Sequence, residues 1–410
     1  MPRMSSPHDG PSRRDRRLIY ATAFLRATAV GMVGVLVGLH LTRLHLTTAE
    51  MGYVVGAGLA GNAAATAWAM AGRGPAARPL LVVLSLLAAA GGAALSFVTH
   101  PGALALVAFV GMVNGMGRDR GPALVLEQSL LPSTTTDAGR TQAMAFHSLV
   151  QDAGHALGAL LAGLPTLLAG LRVSDAAGMR ASLWVYAGLL LAGAFVYPRL
   201  SPAIEPPPRR GGAPLSPASR GVVWKICALF GLDGLGGGFL TSALLSYFFF
   251  ERFGVGPGTV GALFFVARVL NALSHLLAAR LARRIGLVNT MVWTHLPSSL
   301  LLVTVGFAPS FAIAAVLFLL REGLVEMDVP TRSSYVAAVV RPEERTFANG
   351  ATLLVRLAAW AVAPVFAGVL MQGRSLAIPL VVAAAMKIAY DLLLYAAFRG
   401  LKPPEERAAR

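Results

Sequence analysis

Apolar runs long enough to cross roughly 30 Å of hydrocarbon recur along this chain, broken by short segments of polar residues, Gly and Pro. Twelve such runs are predicted as helices, at 17–41, 50–71, 79–98, 102–131, 143–168, 181–198, 221–249, 257–279, 287–307, 310–340, 347–371 and 376–398. The pattern therefore predicts an all-α integral membrane protein with twelve transmembrane helices. An even number of crossings puts both termini on one side. The first run follows Arg13, Arg14, Arg16 and Arg17 and has the outline of a secretory or twin-arginine signal, but with eleven runs behind it an uncleaved first span is expected.

Residues 199–220 interrupt the pattern with Pro202, Pro206, Pro207, Pro208, Pro214 and Pro217 among arginines and glycines, a composition suited to a linker. The expected organisation is a basic N-tail (1–16), a six-helix bundle (17–198), the linker (199–220), a second six-helix bundle (221–398) and a C-tail (399–410). The two bundles repeat weakly. A shift of 205 lays Arg140-Thr141, Ala143, Leu149-Val150 and Ala162-Gly163 on Arg345-Thr346, Ala348, Leu354-Val355 and Ala367-Gly368, and a shift of 209 lays Asn62 on Asn271. Pseudo-symmetric halves of this kind mark duplicated transporter folds.

Composition and charge sharpen this picture. Of 410 residues, 56% are hydrophobic and only 13% charged, which excludes an ordinary soluble domain. The net charge of +16 lies in loops and tails: 22 Lys or Arg fall on the terminus-bearing side against five on the other. By the positive-inside bias both termini are cytoplasmic and the protein is a multi-pass plasma-membrane protein, so the excess gives no support to nucleic-acid binding. Cys227 stands alone, so no intramolecular disulfide is expected. No Walker-type phosphate loop is present, which disfavours an ATP-driven pump.

Twelve spans, a 6+6 split, a basic linker and basic turns after spans 2 and 8 together resemble the major facilitator superfamily over essentially the whole chain. Its signature loop resembles Ala279-Arg280-Leu281-Ala282-Arg283-Arg284-Ile285-Gly286, with Arg283 where the family usually has Asp. The turn Gly72-Arg73-Gly74-Pro75-Ala76-Ala77-Arg78 is a looser version and also lacks the acid. By resemblance Arg280, Arg283, Arg284 and Gly286 form a gating loop. Ala363-Pro364 with Ala367-Gly368 resembles part of an antiporter motif, displaced from span 5 to span 11. Asp328-Val329-Pro330-Thr331-Arg332 with Tyr335 resembles span 10 of bacterial efflux-like members. The resemblance implies that spans 1, 4, 7 and 10 line a central cavity, with 2, 5, 8 and 11 flanking it and 3, 6, 9 and 12 outside.

Eight basic and eight acidic residues fall inside spans, and each is costly there unless paired or hydrated. Aligning Pro122 with Pro330 sets Arg118 against Glu326 and Arg120 against Asp328, a sign inversion that suits ion pairs made and broken between rocking halves; a standing Asp328–Arg332 pair at four-residue spacing is the competing reading. Glu322 and Glu326 share a helical face and are candidates for proton binding through mutual repulsion. Asp233, within Gly231-Leu232-Asp233-Gly234-Leu235-Gly236-Gly237-Gly238, sits either at a helix break that makes a proton site or in a glycine-packed helix. In span 5, His147, Gln151 and His155 form one stripe with Asp152 beside it, a proton-coupling candidate centred on Asp152 and His155 and an incomplete metal set. Gln151 aligns with Arg356 of the second half. Arg268, Asn271 and His275 share a face of span 8 suited to an anionic or hydrogen-bonding solute group. Arg26 is expected to find Asp233 or Glu322, and Lys387 to neutralise Asp391 on its own helix.

The expected function is secondary active transport of a small organic solute by alternating access; an enzyme is not expected, because its best candidates, His147, Asp152 and His155, lack an identifiable nucleophile partner. Proton-coupled efflux is the favoured direction from the resemblance. Proton-driven uptake and a transport-inactive sensor or assembly protein are the rivals. No cofactor or resident metal, and a monomer in the bilayer whose partners are solute and protons, complete the expectation.

Overall fold

The computed structural model describes residues 9–71, 76–136, 139–205, 216–327, 340–341, 344–373 and 375–398, and within them the regular structure is helical. The linker segment 206–215, the turn at 72–75, and Asp328, Arg332 and Tyr335 lie outside the described residues. The first half comprises α1 (Asp9–Arg43), α2 (Thr48–Met70), α3 (Ala77–Ala94), α4 (Pro101–Val110), α5 (Pro122–Leu130), α6 (Arg140–Leu161), α7 (Leu164–Gly170) and α8 (Asp175–Val196). The second comprises α9 (Pro217–Gly238), α10 (Ser242–Phe253), α11 (Pro257–Ile285), α12 (Leu287–Gly306), α13 (Phe311–Val325), α14 (Arg345–Gly373) and α15 (Ile378–Phe398).

Local chemistry sets the helix boundaries. Thr47 caps α2 with a reciprocal capping box to Glu50, while Ser174, Ser216, Thr241 and Ser310 cap α8, α9, α10 and α13. Pro opens α4, α5, α9 and α11, where its missing N–H is not needed. Gly254, at φ +67°, ends α10. Eight helical stretches among the described residues are long and apolar enough to cross a membrane. Span 4 is divided instead: residues 111–121 separate α4 from α5, with Met112 and Gly117 at positive φ. Span 7 is divided at 239–241, between α9 and α10.

The duplication seen in sequence reappears in packing. Within the first half α1 lies on α6, α2 on α4 and α3 on α8; within the second α9 lies on α14, α11 on α13 and α12 on α15. These are equivalent partners under the repeat, so the chain forms the twelve-helix, two-halved arrangement its sequence predicts. Asn62 and Asn271 show the equivalence at residue level. Asn62 Nδ2 donates to Met112 O in divided span 4 (2.7 Å), and Asn271 Nδ2 donates to Glu322 O in span 10 (2.6 Å).

The halves meet through α2 with α14, α6 with α11, and α1 with α10. Glycines make these contacts close on the face away from the termini. Gly52 lies against the Pro364 carbonyl, Gly368 against the Thr48 carbonyl and Gly38 against the Ala243 carbonyl, leaving no room for a Cβ. Gly261 meets Ala159 O, and Gly258 N donates to Thr166 Oγ1 at 3.0 Å. The Ala363-Pro364 and Ala367-Gly368 segment thus lies in this seal between halves.

Candidate functional site

Toward the termini the halves part around a cavity of about 560 Å³, lined by α5, α6, α9, α11 and α14. Deeper in the protein lies a smaller cavity of about 110 Å³. Arg118, Arg120 and Arg356 line both and form the boundary between them. The sequence-predicted residues Gln151, Asp152, His155 and His275 line the larger cavity, whereas Asp233, Arg268, Glu322 and Glu326 line the smaller.

The first half buries a closed polar network. Arg26, on α1, reaches Asp119 through Nε at 2.5 Å and holds Glu127 with two nitrogens at 2.7 Å each, while Nη1 donates to the Tyr197 hydroxyl at 2.7 Å. Glu127 is fully buried and also accepts from Tyr197 and Thr22, at 2.7 and 2.9 Å. His147 Nε2 lies 3.0 Å from Glu127, and Gln151 Nε2 is 2.9 Å from His147 Nδ1. Every oxygen of Glu127 therefore has a partner, as a buried carboxylate requires. This overturns the expectation that Arg26 pairs with Asp233 or Glu322: its partners come from span 4 of its own half, because divided span 4 turns Asp119 and Glu127 toward α1. His155 also departs from the expected Asp152 pairing, since its Nε2 accepts the Asp119 amide at 2.8 Å.

In the second half Asp233 receives Lys387 at 3.0 Å and Arg356 at 3.5 Å. The helix does not break at Asp233. α9 runs to Gly238, and Gly234 and Gly238 instead let it approach Arg356, Ala359, Trp360 and Ala363 of α14. Lys387 therefore does not neutralise Asp391 on its own helix; it turns to Asp233, while Asp391 pairs with His295 of α12 at 3.0 Å. The expected apposition of Glu322 and Glu326 is replaced by separate cations. Glu322 contacts Arg321 and Asn271, and Glu326 takes Arg118 at 2.8 Å and Arg120 at 3.8 Å.

The Arg118–Glu326 pair joins the halves as the repeat alignment predicts. Arg118 also donates to Asn271. Two hydrogen bonds reinforce this junction where both central spans are divided: Ala243 N donates to Gly115 O at 3.0 Å, and Ser242 Oγ donates to Met116 O at 2.8 Å. Ser242 Oγ in turn accepts from Arg268 at 3.1 Å. Above them Trp360 carries Arg356 at 5.0 Å and Arg120 at 5.8 Å over its ring. Tyr197, Trp360, Ser242 and Lys387 were not singled out for the site by spacing, and each depends on which distant helices meet. Arg280 and Arg284 are exposed on α11, which ends at Gly286 with φ +88°; the Arg283 side chain and residues Asp328 and Arg332 lie outside what is described. Among the described residues no His, Cys, Asp or Glu cluster could hold a metal ion.

The fold agrees with comparison to known proteins. Residues 19–327 match the Major Facilitator Superfamily model. The chain belongs to the major facilitator superfamily. An uncharacterized membrane protein of Saccharomyces cerevisiae is 25% identical over 426 residues, covering 95% of each chain. Among solved structures, the nucleoside transporter NupG superposes with a TM-score of 0.73 at 15% identity, over 94% of this chain and 99% of its own. The xylose transporter XylE from E. coli, in a partially occluded inward-open conformation, gives 0.69 at 14% identity, over 96% and 99%. At these identities the likeness is one of fold.

Proposed function

We propose that this superfamily member is a secondary active transporter that moves a small organic solute across the plasma membrane by alternating access coupled to protons. The observation that carries this reading is the asymmetry of the interface between halves: a 560 Å³ cavity opens toward the termini while glycine-mediated contacts seal the opposite face. With the termini cytoplasmic, this conformation opens to the cytoplasm, a state that importers and exporters both visit; export is our reading from the efflux-like resemblance of the sequence.

The contacts to be exchanged include polar ones at the centre. Moving the opening to the other face requires separation at Ala243–Gly115 and Ser242–Met116, and the Arg118–Glu326 pair must rearrange. Asp233 is the leading coupling residue: it lines the inner cavity and balances both Lys387 and Arg356, so a proton on it leaves two like charges to repel and repack. Glu322 is the second. Asp152 and His155 line the outer cavity on the path a proton would take.

Purified protein in proteoliposomes tests this. Solute-dependent proton flux, followed with an internal pH dye, is expected and should be lost in the Asp233→Asn, Glu322→Gln double variant. Flux that survives both changes overturns the coupling assignment. A ligand that binds without counterflow supports the sensor reading instead.

A further inference from the structure

From the inner cavity we infer that the transported solute is an organic anion, whose charged group is held by Arg268 and Arg118 and takes the place of the Glu326 carboxylate. This rests on the central cavity being the solute site. Six basic and three acidic side chains line the cavity, so among the described residues its wall carries three more cations than anions. Such an excess in a dehydrating space calls for a negative guest.

Arg268 identifies where the charge sits. Its Nη2 donates to Ser242 Oγ at 3.1 Å, and among the described residues no carboxylate lies within 4.0 Å of it. A guanidinium offers five N–H groups in a planar fork matched to carboxylate or phosphate, so one neutral hydroxyl leaves most of its capacity unused. Arg118, the next cation of the cavity, already shows the exchange partner: it holds Glu326, which a solute anion could replace. Displacing Glu326 would undo an ion pair between the halves while Arg268 remains linked through Ser242 to Met116, so occupancy is felt where the halves are joined.

The inner cavity sets the shape of the guest. At about 110 Å³ it has room for an anionic head group of a few heavy atoms, given that a water occupies about 30 Å³ of liquid. Trp360, Phe264 and Phe318 offer apolar surface beside it, and the 560 Å³ cavity accepts the remainder of the molecule. The chemistry is shared by carboxylates and phosphate monoesters.

Four probes with one ring and different head groups test the inference in detergent: benzoate, phenyl phosphate, benzamide and benzylammonium, by calorimetric titration and thermal shift. At least one of the two anions is expected to bind at least about tenfold tighter than benzamide and benzylammonium. Arg268→Gln should weaken that anion at least about tenfold, Arg268→Lys less, and Glu326→Gln should strengthen it several-fold by removing the competitor. Glu326→Gln keeps the test open if Arg268→Gln does not fold. Equal binding of the four probes, binding of none, preference for the cation, or anion affinity indifferent to both variants overturns the inference. These measurements need no transport. Counterflow of a solute without anion preference would sink the anion assignment and leave transport standing, whereas anion binding without counterflow would do the reverse.

Discussion

Two charged regions, the Arg26–Glu127 network and the ion pairs of the inner cavity, handle burial differently. In the first, Arg26, Asp119, Glu127, Tyr197 and His147 form a network in which Glu127 and His147 have no exposure at all. In the second, Asp233, Arg356, Lys387, Arg321 and Glu322 face a cavity, and Arg118 reaches across to Glu326. A sealed pair cannot exchange partners without leaving an uncompensated charge, so it fixes helices in place; a pair beside a cavity can trade its partner for water, a proton or a solute. The Arg26–Glu127 network therefore ties α1, α5 and α6 together, while the ion pairs lining the inner cavity have room to exchange partners.

The sharpest way to break this contrast is Arg26→Leu. It leaves Asp119 and fully buried Glu127 without their cation, and a loss of about 3–5 kcal/mol is expected as a marked fall in thermal unfolding temperature in detergent. An unchanged unfolding temperature would remove the distinction between the two regions. His295→Phe comes next: it takes one hydrogen-bond partner from buried Asp391, away from both cavities, and should cost about 1–3 kcal/mol while solute flux per folded molecule stays at the wild-type level. Asp233→Asn should cost folding only about 1 kcal/mol, because Asn still accepts from Lys387 and both cations line the inner cavity. Its proton-coupled flux should fall at least about tenfold, the equivalent of about 1.4 kcal/mol in a rate-limiting step. A variant with normal flux would move the responsive role to Glu322.

The smallest effect belongs outside the membrane, at Glu344. The Ser219 hydroxyl and the Ser216 amide, the latter at 2.7 Å, hold its carboxylate down to about 2 from an ordinary value of 4.5. Because the folded value is the lower one, this contribution is present above about pH 4.5 and fades as pH falls toward 2. The unfolding-temperature difference between wild type and Glu344→Gln should shrink across that window; a difference constant with pH would assign Glu344 no charge-dependent role in anchoring α9.

Spacing alone made some of these contacts legible. The Arg118–Glu326 apposition followed from aligning two prolines in repeated spans, and Asn62 and Asn271 were paired by the same repeat, because duplication preserves which helices touch. Arg268, Asn271 and His275 shared a face in sequence and all reach the centre: Arg268 lines the inner cavity, Asn271 bridges Arg118 and Glu322, and His275 lines the outer. Pairings within one helix were less secure. Lys387 and Asp391 stand one turn apart, yet each finds a partner on another span, since neighbouring helices offer closer and better-buried counter-charges than the helix's own surface.

Hydrophobic run lengths, the charge bias and the interrupted midpoint determined the twelve crossings, the two-halved plan and the need for the intramembrane charges to find partners, because the cost of water-loving groups in hydrocarbon depends on residue type and spacing. Only the tertiary structure decided who those partners are. Divided span 4 brought Asp119 and Glu127 to Arg26, glycines on α9 brought Asp233 to Arg356 and Lys387, and the meeting of the halves left Arg268 beside a serine in the central cavity. Ion pairing is decided by distances of a few ångströms between segments far apart in the chain, and those distances exist only once the helices have packed.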